Sequence, residues 1–448
     1  MDNDRGQSAL VGFWARNVRC FRDEVFLSME ATRLANETVV RVARTASATP
    51  SRLLPIAGVF GANASGKSAL LTAMWDMKRL AVSSFRDGAS GANIRRIPFL
   101  LGSDDRERPS EYGVEVILDR VTWRYAFEVA DERVVNEYAV HYPKGRQALV
   151  FEREHEKVVF GPRFRSMGKA VGLLQRKNAL LLSTAGALRD NPLTPLFDWF
   201  EANFLLVDAD THAIRRVWTA ELAQDDAYRS RVLGLLRAAD LGISEAEVEQ
   251  ADEETAARVR AADRVMRGRD PQADDEDNAD EDGAWDSRLQ RVRLLHRSSE
   301  GVVSLDPWLE SIGTQVWLGL IAPVLRVLDT GSVLLVDELD GSLHPLLVER
   351  LVTLFQNADT NPRCAQLIFN AHDLNLLAIS APFHLGRDQV WTVEKDAEGA
   401  SRIQPVAEYK PRADEALGRR YVRGRYGGIP RLVPGSFDHA VRAEQADR

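Results

Sequence analysis

The spacing of apolar positions changes several times along this chain, and each change marks an element. Leu10 to Ala15 and Glu24 to Met29 alternate or run apolar, which predicts two strands joined by a tight turn at Asn17 to Arg22. Thr32 to Pro50 is polar and Ala-rich and reads as a connection. Leu53 to Phe60 is a short apolar run of strand type, Ala69 to Leu80 is built of helix formers, and the glycines and serines of Ser83 to Asn93 break that pattern. From Glu111 to Phe160 the period returns to two. Val114, Val116 and Leu118 alternate, as do Trp123, Tyr125, Phe127 and Val129, with Asp119-Arg120 and Asp131-Glu132 as turns, so an antiparallel meander with one wet face is expected. Between about Ala179 and Arg269 the period is helical: Leu193, Leu196, Phe197 and Phe200 recur three or four apart, as do Val232, Leu235, Leu236 and Ala239. The aromatic residues there read as core. Arg291 to Leu294 alternates as a short strand, and Ser332 to Val336 and Gln366 to Phe369 are apolar, strand-type runs. Neither an internal repeat nor a long heptad pattern is visible.

Candidate chemistry sits at the ends of these apolar runs. Gly61-Ala62-Asn63-Ala64-Ser65-Gly66-Lys67-Ser68 fits G-x-x-x-x-G-K-[ST] between a strand and a helix, the context that phosphate binding requires. The glycines let successive N–H groups turn toward phosphate oxygens, and the helix start adds its positive dipole end. Lys67 is placed to reach the β and γ phosphates of ATP, and the Ser68 hydroxyl to hold Mg²⁺. The run Ser332 to Val336 ends in Asp337-Glu338. A strand that delivers two carboxylates at its carboxyl end is the Walker B arrangement, in which Asp337 serves the metal and Glu338 polarises the attacking water. Gln366 to Phe369 leads to Asn370-Ala371-His372-Asp373, which puts His372 where a γ phosphate would be sensed.

The order of these motifs resembles that of ABC-type ATPases: the phosphate loop, then Glu310-Ser311-Ile312-Gly313-Thr314, then Asp337-Glu338, then the D-loop stretch Leu339-Asp340-Gly341-Ser342-Leu343-His344-Pro345, then His372. The likeness is to the RecF/SMC-like branch without transport domains. More narrowly it is to bacterial AAA-family ATPases of the RloA and AbiL-type abortive-infection group. Val18-Arg19-Cys20-Phe21, the stretch Leu236 to Ile243, Asp388-Gln389-Val390-Trp391 and Arg425-Tyr426-Gly427-Gly428-Ile429-Pro430 extend it over almost the whole chain. The resemblance implies that Ser311 and Gly313 close over nucleotide held by a second subunit, in a head-to-head dimer around two nucleotides. A Ser hydroxyl with free N–H groups at a helix start suits that task. Two departures are visible. Ile312 replaces a glycine of the usual signature and Thr314 its glutamine, and Ile97-Pro98-Phe99-Leu100 occupies the zone of the Q-loop. Both point to slow hydrolysis, as in a timer or switch.

Composition narrows this reading. The chain has 448 residues, 45% hydrophobic and 28% charged, ordinary for a globular protein of two or three domains. No signal peptide is expected, and the longest apolar stretch, Val316 to Leu328, is short for a bilayer and carries Arg326, so no membrane role is expected. Cys20 and Cys364 lack metal-ligand spacing and read as reduced core residues in a cytoplasmic protein. The net charge of −8 is unevenly spread. Asp270 to Asp286 is acidic and reads as a solvated, disordered loop. Arg412, Arg419, Arg420, Arg423 and Arg425 cluster with Tyr421 and Tyr426, either facing the phosphates of nucleic acid or nucleotide, or paired with local acids such as Asp414 and Glu415.

The expected fold is α/β: a P-loop NTPase of ABC type with a mostly parallel core sheet, an adjoining antiparallel β subdomain and a helical insertion. Residues 1–160 form the N-terminal half of the core, 161–290 the insertion, 291–407 the C-terminal half, and 408–448 a basic segment. The expected function is that of a Mg²⁺-dependent ATPase, a nucleotide-gated sensor or switch in phage defence with a separate effector protein, since no stretch outside Walker B looks like a nuclease. The alternative is a DNA-binding, repair-type ATPase of the RecF/SMC class. A third reading is a nucleotide-binding scaffold without hydrolysis, against which Glu338 counts.

Overall fold

The structure, a computed structural model, describes residues 8–43, 45, 50–88, 91–188, 191–209, 211–239, 242–251, 256–257, 290–377, 385–412, 415–430, 435 and 438. The acidic run Asp270 to Asp286 lies outside the described residues. The chain opens with β1 (Ala9–Arg16) and β2 (Val25–Ser28). A short ribbon of β3 (Arg41–Ala43) and β4 (Ser51–Leu53) then leads into β5 (Ile56–Gly61) and α1 (Lys67–Asp87). The helix runs on past Ser83, where the sequence pattern breaks, and the Ser83 hydroxyl lies within hydrogen-bonding distance of both Arg79 O (2.8 Å) and Asp87 Oδ2 (2.7 Å).

After the short α2 (Ser103–Glu107) come β6 (Ser110–Leu118), β7 (Val121–Val129), β8 (Val134–His141), β9 (Ala148–Glu154) and β10 (Lys157–Phe160). These join β1 and β2 in one antiparallel sheet of order β10-β9-β8-β7-β6-β1-β2. Asp119 and Arg120, both with positive φ, make the tight turn between β6 and β7 that their sequence signals.

Next are α3 (Arg165–Leu174), α4 (Leu181–Gly186), α5 (Thr194–Ala202), β11 (Leu205–Val207), α6 (His212–Leu222), α7 (Asp226–Ala238) and β12 (Ile243–Gln250). The two strands were not expected in this stretch. β11 is only three residues long, and Ile-Ser-Glu-Ala-Glu-Val-Glu-Gln of β12 carries helix formers that pairing with β13 (Gln290–Ser298) overrides. β14 (Gly301–Leu305) completes that three-stranded sheet.

The core sheet is six-stranded, in the order β11-β15-β16-β5-β17-β18, built from β15 (Val333–Val336), β16 (Gln366–Asn370), β17 (Val390–Lys395) and β18 (Ser401–Pro405). All its pairings are parallel except β17 with β18. β5, β15 and β16 are buried along their whole length, which explains their unbroken apolar sequences. Successive side chains point to opposite faces. Ala57, Val59, Val333, Leu335 and Ile368 join α1, α4, α5 and the antiparallel sheet in one core. Ile56, Phe60, Leu334, Val336 and Phe369 enter a second core with α8 (Ile312–Thr330), α9 (Pro345–Gln356) and α10 (Leu417–Val422). By length and composition α8 is apolar enough to cross a membrane, but 67% of its most apolar window is buried in this core.

Two buried polar devices hold the layers. The Gln366 side chain accepts from Leu10 N (2.7 Å) and donates to Leu10 O (2.9 Å), tying the irregularity in β1 to the core sheet. Glu137 and Arg153, both fully buried, lie 3.6 Å apart. Glu137 accepts from Tyr125 Oη and from the N–H groups of Leu181 and Leu182 that open α4. Arg153 donates to the carbonyls of Ala179 and Arg176. Glu137→Ala leaves a buried guanidinium without its counter-charge, and a loss of about 3–5 kcal/mol is expected. Thermal or urea unfolding measures it, and an unchanged midpoint would mean the carbonyl bonds alone satisfy Arg153.

Candidate functional site

The phosphate loop leaves β5 at Gly61 and enters α1 at Lys67. Ala64 (φ 59°) and Gly66 (φ 112°) are both left-handed, the alternation that curls N–H groups into an anion-binding nest. A Cβ on Gly61 would lie 2.6 Å from both Ser65 Oγ and Val393 O, and one on Gly66 would lie 2.7 Å from Cys20 Sγ. The loop therefore requires glycine at both places. Ser401 of β18 grips it from outside, donating through Oγ to Ser65 O (2.6 Å) and through N to Cys20 O (2.8 Å). Lys67 is buried, and its Nζ donates to Gly61 O (2.9 Å) and Ala62 O (3.2 Å). Burial pushes its ammonium below the usual lysine value, and the charges of Glu338, Asp337 and Asp340 oppose that shift.

The carboxylates are held by the next strands. Asn370, fully buried at the end of β16, donates through Nδ2 to Asp337 Oδ1 and accepts through Oδ1 from Glu338 N (2.6 Å). Glu338 has φ 54°, a strained conformation for a side-chain-bearing residue, and its carbonyl accepts from Gly341 N (2.7 Å). Asp340 Oδ2 accepts from His372 N (2.8 Å) and Asp373 N (2.6 Å), which links the D-loop to the histidine segment. His344 caps α9, its Nδ1 accepting from Leu346 N (3.2 Å), and Pro345 takes the first helical position.

These parts enclose a cavity of about 780 Å³ lined by Asn63, Ala64, Ser65, Gly66, Lys67, Ser68, Glu338 and His372, together with Arg19, Cys20, Ala69, Thr72 and Lys395. Asp337 is half-buried behind this lining, on Asn370. Ser311 and Gly313 are not among the lining residues. Ser311 is exposed and caps α8, its Oγ accepting from Thr314 N (3.1 Å). A Cβ on Gly313 would meet Ser342 O at 2.7 Å, so the signature turn lies against the D-loop. Gln315 bonds Glu310 O and receives a bond from Arg216, and Glu310 pairs with His296 Nε2 at 2.7 Å.

The residues present fit a magnesium nucleotide. Ser68 and Asp337 are hard oxygen donors near a lysine, Asp340 Oδ1 is buried without a hydrogen-bond partner, and the left-handed Ala64 and Gly66 give the loop the curl of an anion-binding nest. Among the described residues, no group of three or more His, Cys, Asp or Glu is placed to hold a metal alone. Mg²⁺ itself takes one or two carboxylates plus phosphate oxygens.

Sequence reasoning overlooked Asn370, Asp340, Ser401 and Lys395 as parts of the site. Asn370 and Asp340 stand inside quoted motifs, so position alone was the available signal. Ser401 and Lys395 follow no pattern and are placed by the register of β17 and β18. Arg19 and Cys20 were marked only as an N-terminal match. The turn at Asn17 to Arg22 carries them in, with Asn17 and Arg19 at positive φ and Val18 and Phe21 exchanging backbone bonds. Ile97 to Leu100, where a Q-loop was sought, holds that turn: Ile97 O accepts from Arg19 N and Phe99 N donates to Asn17 Oδ1.

The sequence profile of the family described as "AAA domain, putative AbiEii toxin, Type IV TA system" matches residues 56–378. Comparison with curated proteins returns no match. Among solved structures, the chain is similar to an SMC head bound to the C-terminal winged-helix domain of ScpA, with TM-score 0.43, 12% identity, and coverage of 88% of this chain and 96% of that one. It is also similar to the SMC head domain from Thermotoga maritima, with TM-score 0.38, 14% identity, and coverage of 88% and 98%. With the profile spanning most of the chain, from the phosphate-loop strand to beyond His372, this protein belongs to the AAA-domain family described as putative AbiEii toxin of type IV toxin–antitoxin systems.

Proposed function

We propose that this protein is a slow, Mg²⁺-dependent ATPase that acts as a nucleotide-gated switch for a separate effector protein in phage defence. One observation carries the reading: Lys67, Ser68, Glu338 and His372, from three separate stretches of sequence, line one cavity above the ends of adjacent parallel strands. Lys67 neutralises β- and γ-phosphate charge, and the loop N–H groups hold the phosphate oxygens. Ser68 and Asp337 would hold Mg²⁺, which would supply positive charge against the phosphates. Glu338, aimed into the cavity by its left-handed backbone, takes the proton from the attacking water. His372 hydrogen-bonds the γ phosphate. Asn370 keeps the two carboxylates in their separate roles by gripping one side chain and the other backbone.

The exposed Ser311 and the half-buried Gly313 serve the nucleotide of a second copy, in a head-to-head dimer. The family description, which names a putative toxin of a toxin–antitoxin system, is consistent with a role that involves a second protein. The DNA-binding reading has less support. Tyr421 and Tyr426 are buried rather than free to stack on bases, and Arg420 and Arg425 lie within 3.7 Å and 3.6 Å of Glu415. Arg412, Arg419 and Arg423 remain exposed, and salt-sensitive DNA binding with DNA-stimulated turnover would restore that reading.

Three outcomes are expected. Lys67→Ala abolishes ATP binding and biological output, and normal output from that variant removes the switch. Glu338→Gln lowers turnover by about 10²–10⁴-fold while retaining ATP, and light scattering then shows its mass double with ATP and Mg²⁺. An unchanged monomer mass would remove the shared-nucleotide dimer. Asn370→Ala binds ATP like the parent but turns over about tenfold or more slowly, measured as kcat against KM, and equal kcat would show that the carboxylates need no such support.

A further inference from the structure

The segment Arg425-Tyr426-Gly427-Gly428-Ile429-Pro430 lies against the phosphate loop, although the two stand near opposite ends of the sequence. Gly428 has φ +70°, and a Cβ there would come 3.4 Å from Gly61 Cα and 3.2 Å from Val393 O. Gly427 has φ +69°, and its Cβ would come 2.8 Å from Glu394 Oε2. Two consecutive left-handed glycines let bare backbone press against the end of β17 and the first glycine of the loop.

That backbone is pinned from two sides by buried hydroxyls. Thr392 Oγ1 donates to Tyr426 O, and Tyr421 Oη donates to Gly428 O, both at 2.8 Å. The buried Tyr426 ring packs edge-on to Tyr409, and its hydroxyl donates to Glu415 Oε1 at 2.6 Å. This bond, helped by Arg425 and Arg420, holds the Glu415 carboxyl below its usual range. Two arginines of the basic cluster thus brace Glu415, which braces Tyr426, which sets the glycine pair.

Gly61 is closely hemmed in. Val393 O and Ser65 Oγ stand where its Cβ would be, and Gly428 comes against both Gly61 Cα and Val393 O. Its carbonyl also accepts one of the two hydrogen bonds of Lys67 Nζ. A shift of Gly61 therefore moves the tether of Lys67. The strand end under the glycine pair continues to Lys395, which lines the same cavity.

We propose that Arg425–Pro430 is a clamp that positions the phosphate loop for nucleotide, with Tyr426, Gly428 and Glu415 as positioning residues that do not touch the ligand. The inference rests on the nucleotide-binding reading above. A loop that binds phosphate through preset N–H groups loses affinity when its first residue is free to move.

The test titrates the full chain with a fluorescent ATP analogue, comparing the parent, Lys67→Ala, Tyr426→Phe and Gly428→Ala, and melts each protein without nucleotide. Tyr426→Phe deletes one hydroxyl and is expected to keep a near-parental melting temperature while weakening affinity about tenfold. Gly428→Ala, strained at its φ, weakens it at least as much. Should Gly428→Ala fail to fold, Tyr426→Phe alone decides. Parental affinity in Tyr426→Phe, with or without a lowered melting temperature, overturns the clamp, and if Lys67→Ala loses binding the nucleotide reading stands. A parent chain that binds no nucleotide overturns both.

Discussion

The site depends on the level register of four parallel strands. Val59 of β5 pairs with Asn370 of β16, Phe369 with Val336 of β15, and Val336 with Val207 of β11, so the strands end along one line. The backbone ladder continues past them: Ala371 N donates to Val59 O, Leu339 N to Asn370 O and Asp337 N to Val207 O. A slip of one residue in β16 would turn Asn370 away from both Asp337 and Glu338 and reverse which face of the strand meets which core. The two apolar cores that bury β5, β15 and β16 on both faces resist such a slip. The chemistry is therefore set by packing far from the cavity.

At the edge thus defined, the molecule concentrates strain and like charge. Ala64 and Glu338 both adopt left-handed backbone without being glycine, and Asp337, Glu338 and Asp340 crowd near a single buried lysine. Each feature costs stability by itself. They persist because neighbours fix them: Asn370 and Gly341 for Glu338, and Ser401 for the loop around Ala64. Strain held in this way keeps the Glu338 side chain at the cavity, where a relaxed backbone would turn it elsewhere.

Much of this was legible in the sequence, and for physical reasons. Fully buried parallel strands need unbroken apolar runs, so the runs Leu53 to Phe60 and Ser332 to Val336 declared themselves, although the first divides between the end of β4 and β5. A phosphate nest needs glycine at fixed spacing, so Gly61 and Gly66 did as well. The meander over residues 110–160 was visible because one face is wet and its pattern alternates. What escaped was either too short, as with Leu205–Val207, or locally helix-like, as with Ile243–Gln250, where strand pairing across a long sequence gap decides the outcome. Within the site, the residues missed are those whose role is to hold another residue. Asn370 and Ser401 carry no distinctive chemistry, and only the fold brings them to Asp337 and Ser65.

The grip on the phosphate loop is strongly non-local, and this bears on where the nucleotide-binding unit ends. The family profile stops at residue 378, yet Ser401 bonds Ser65, Val393 crowds Gly61, Lys395 lines the cavity and Gly428 backs the loop. At the other end, the turn that carries Arg19 and Cys20 stands well before the start of the profile and packs on Gly66. β17 and β18 are therefore structural parts of the loop, as the hairpin of β1 and β2 is. A loop made only from residues 56–68 would keep its consensus letters while losing every external contact that gives Ala64 and Gly66 their conformation. Closing such long sequence separations costs chain entropy that only the completed core offsets, so the loop reaches its binding shape when the whole sheet is assembled. The shape of the loop is thus a property of the assembled sheet and both flanking segments, and the eight-residue motif marks where that shape is displayed.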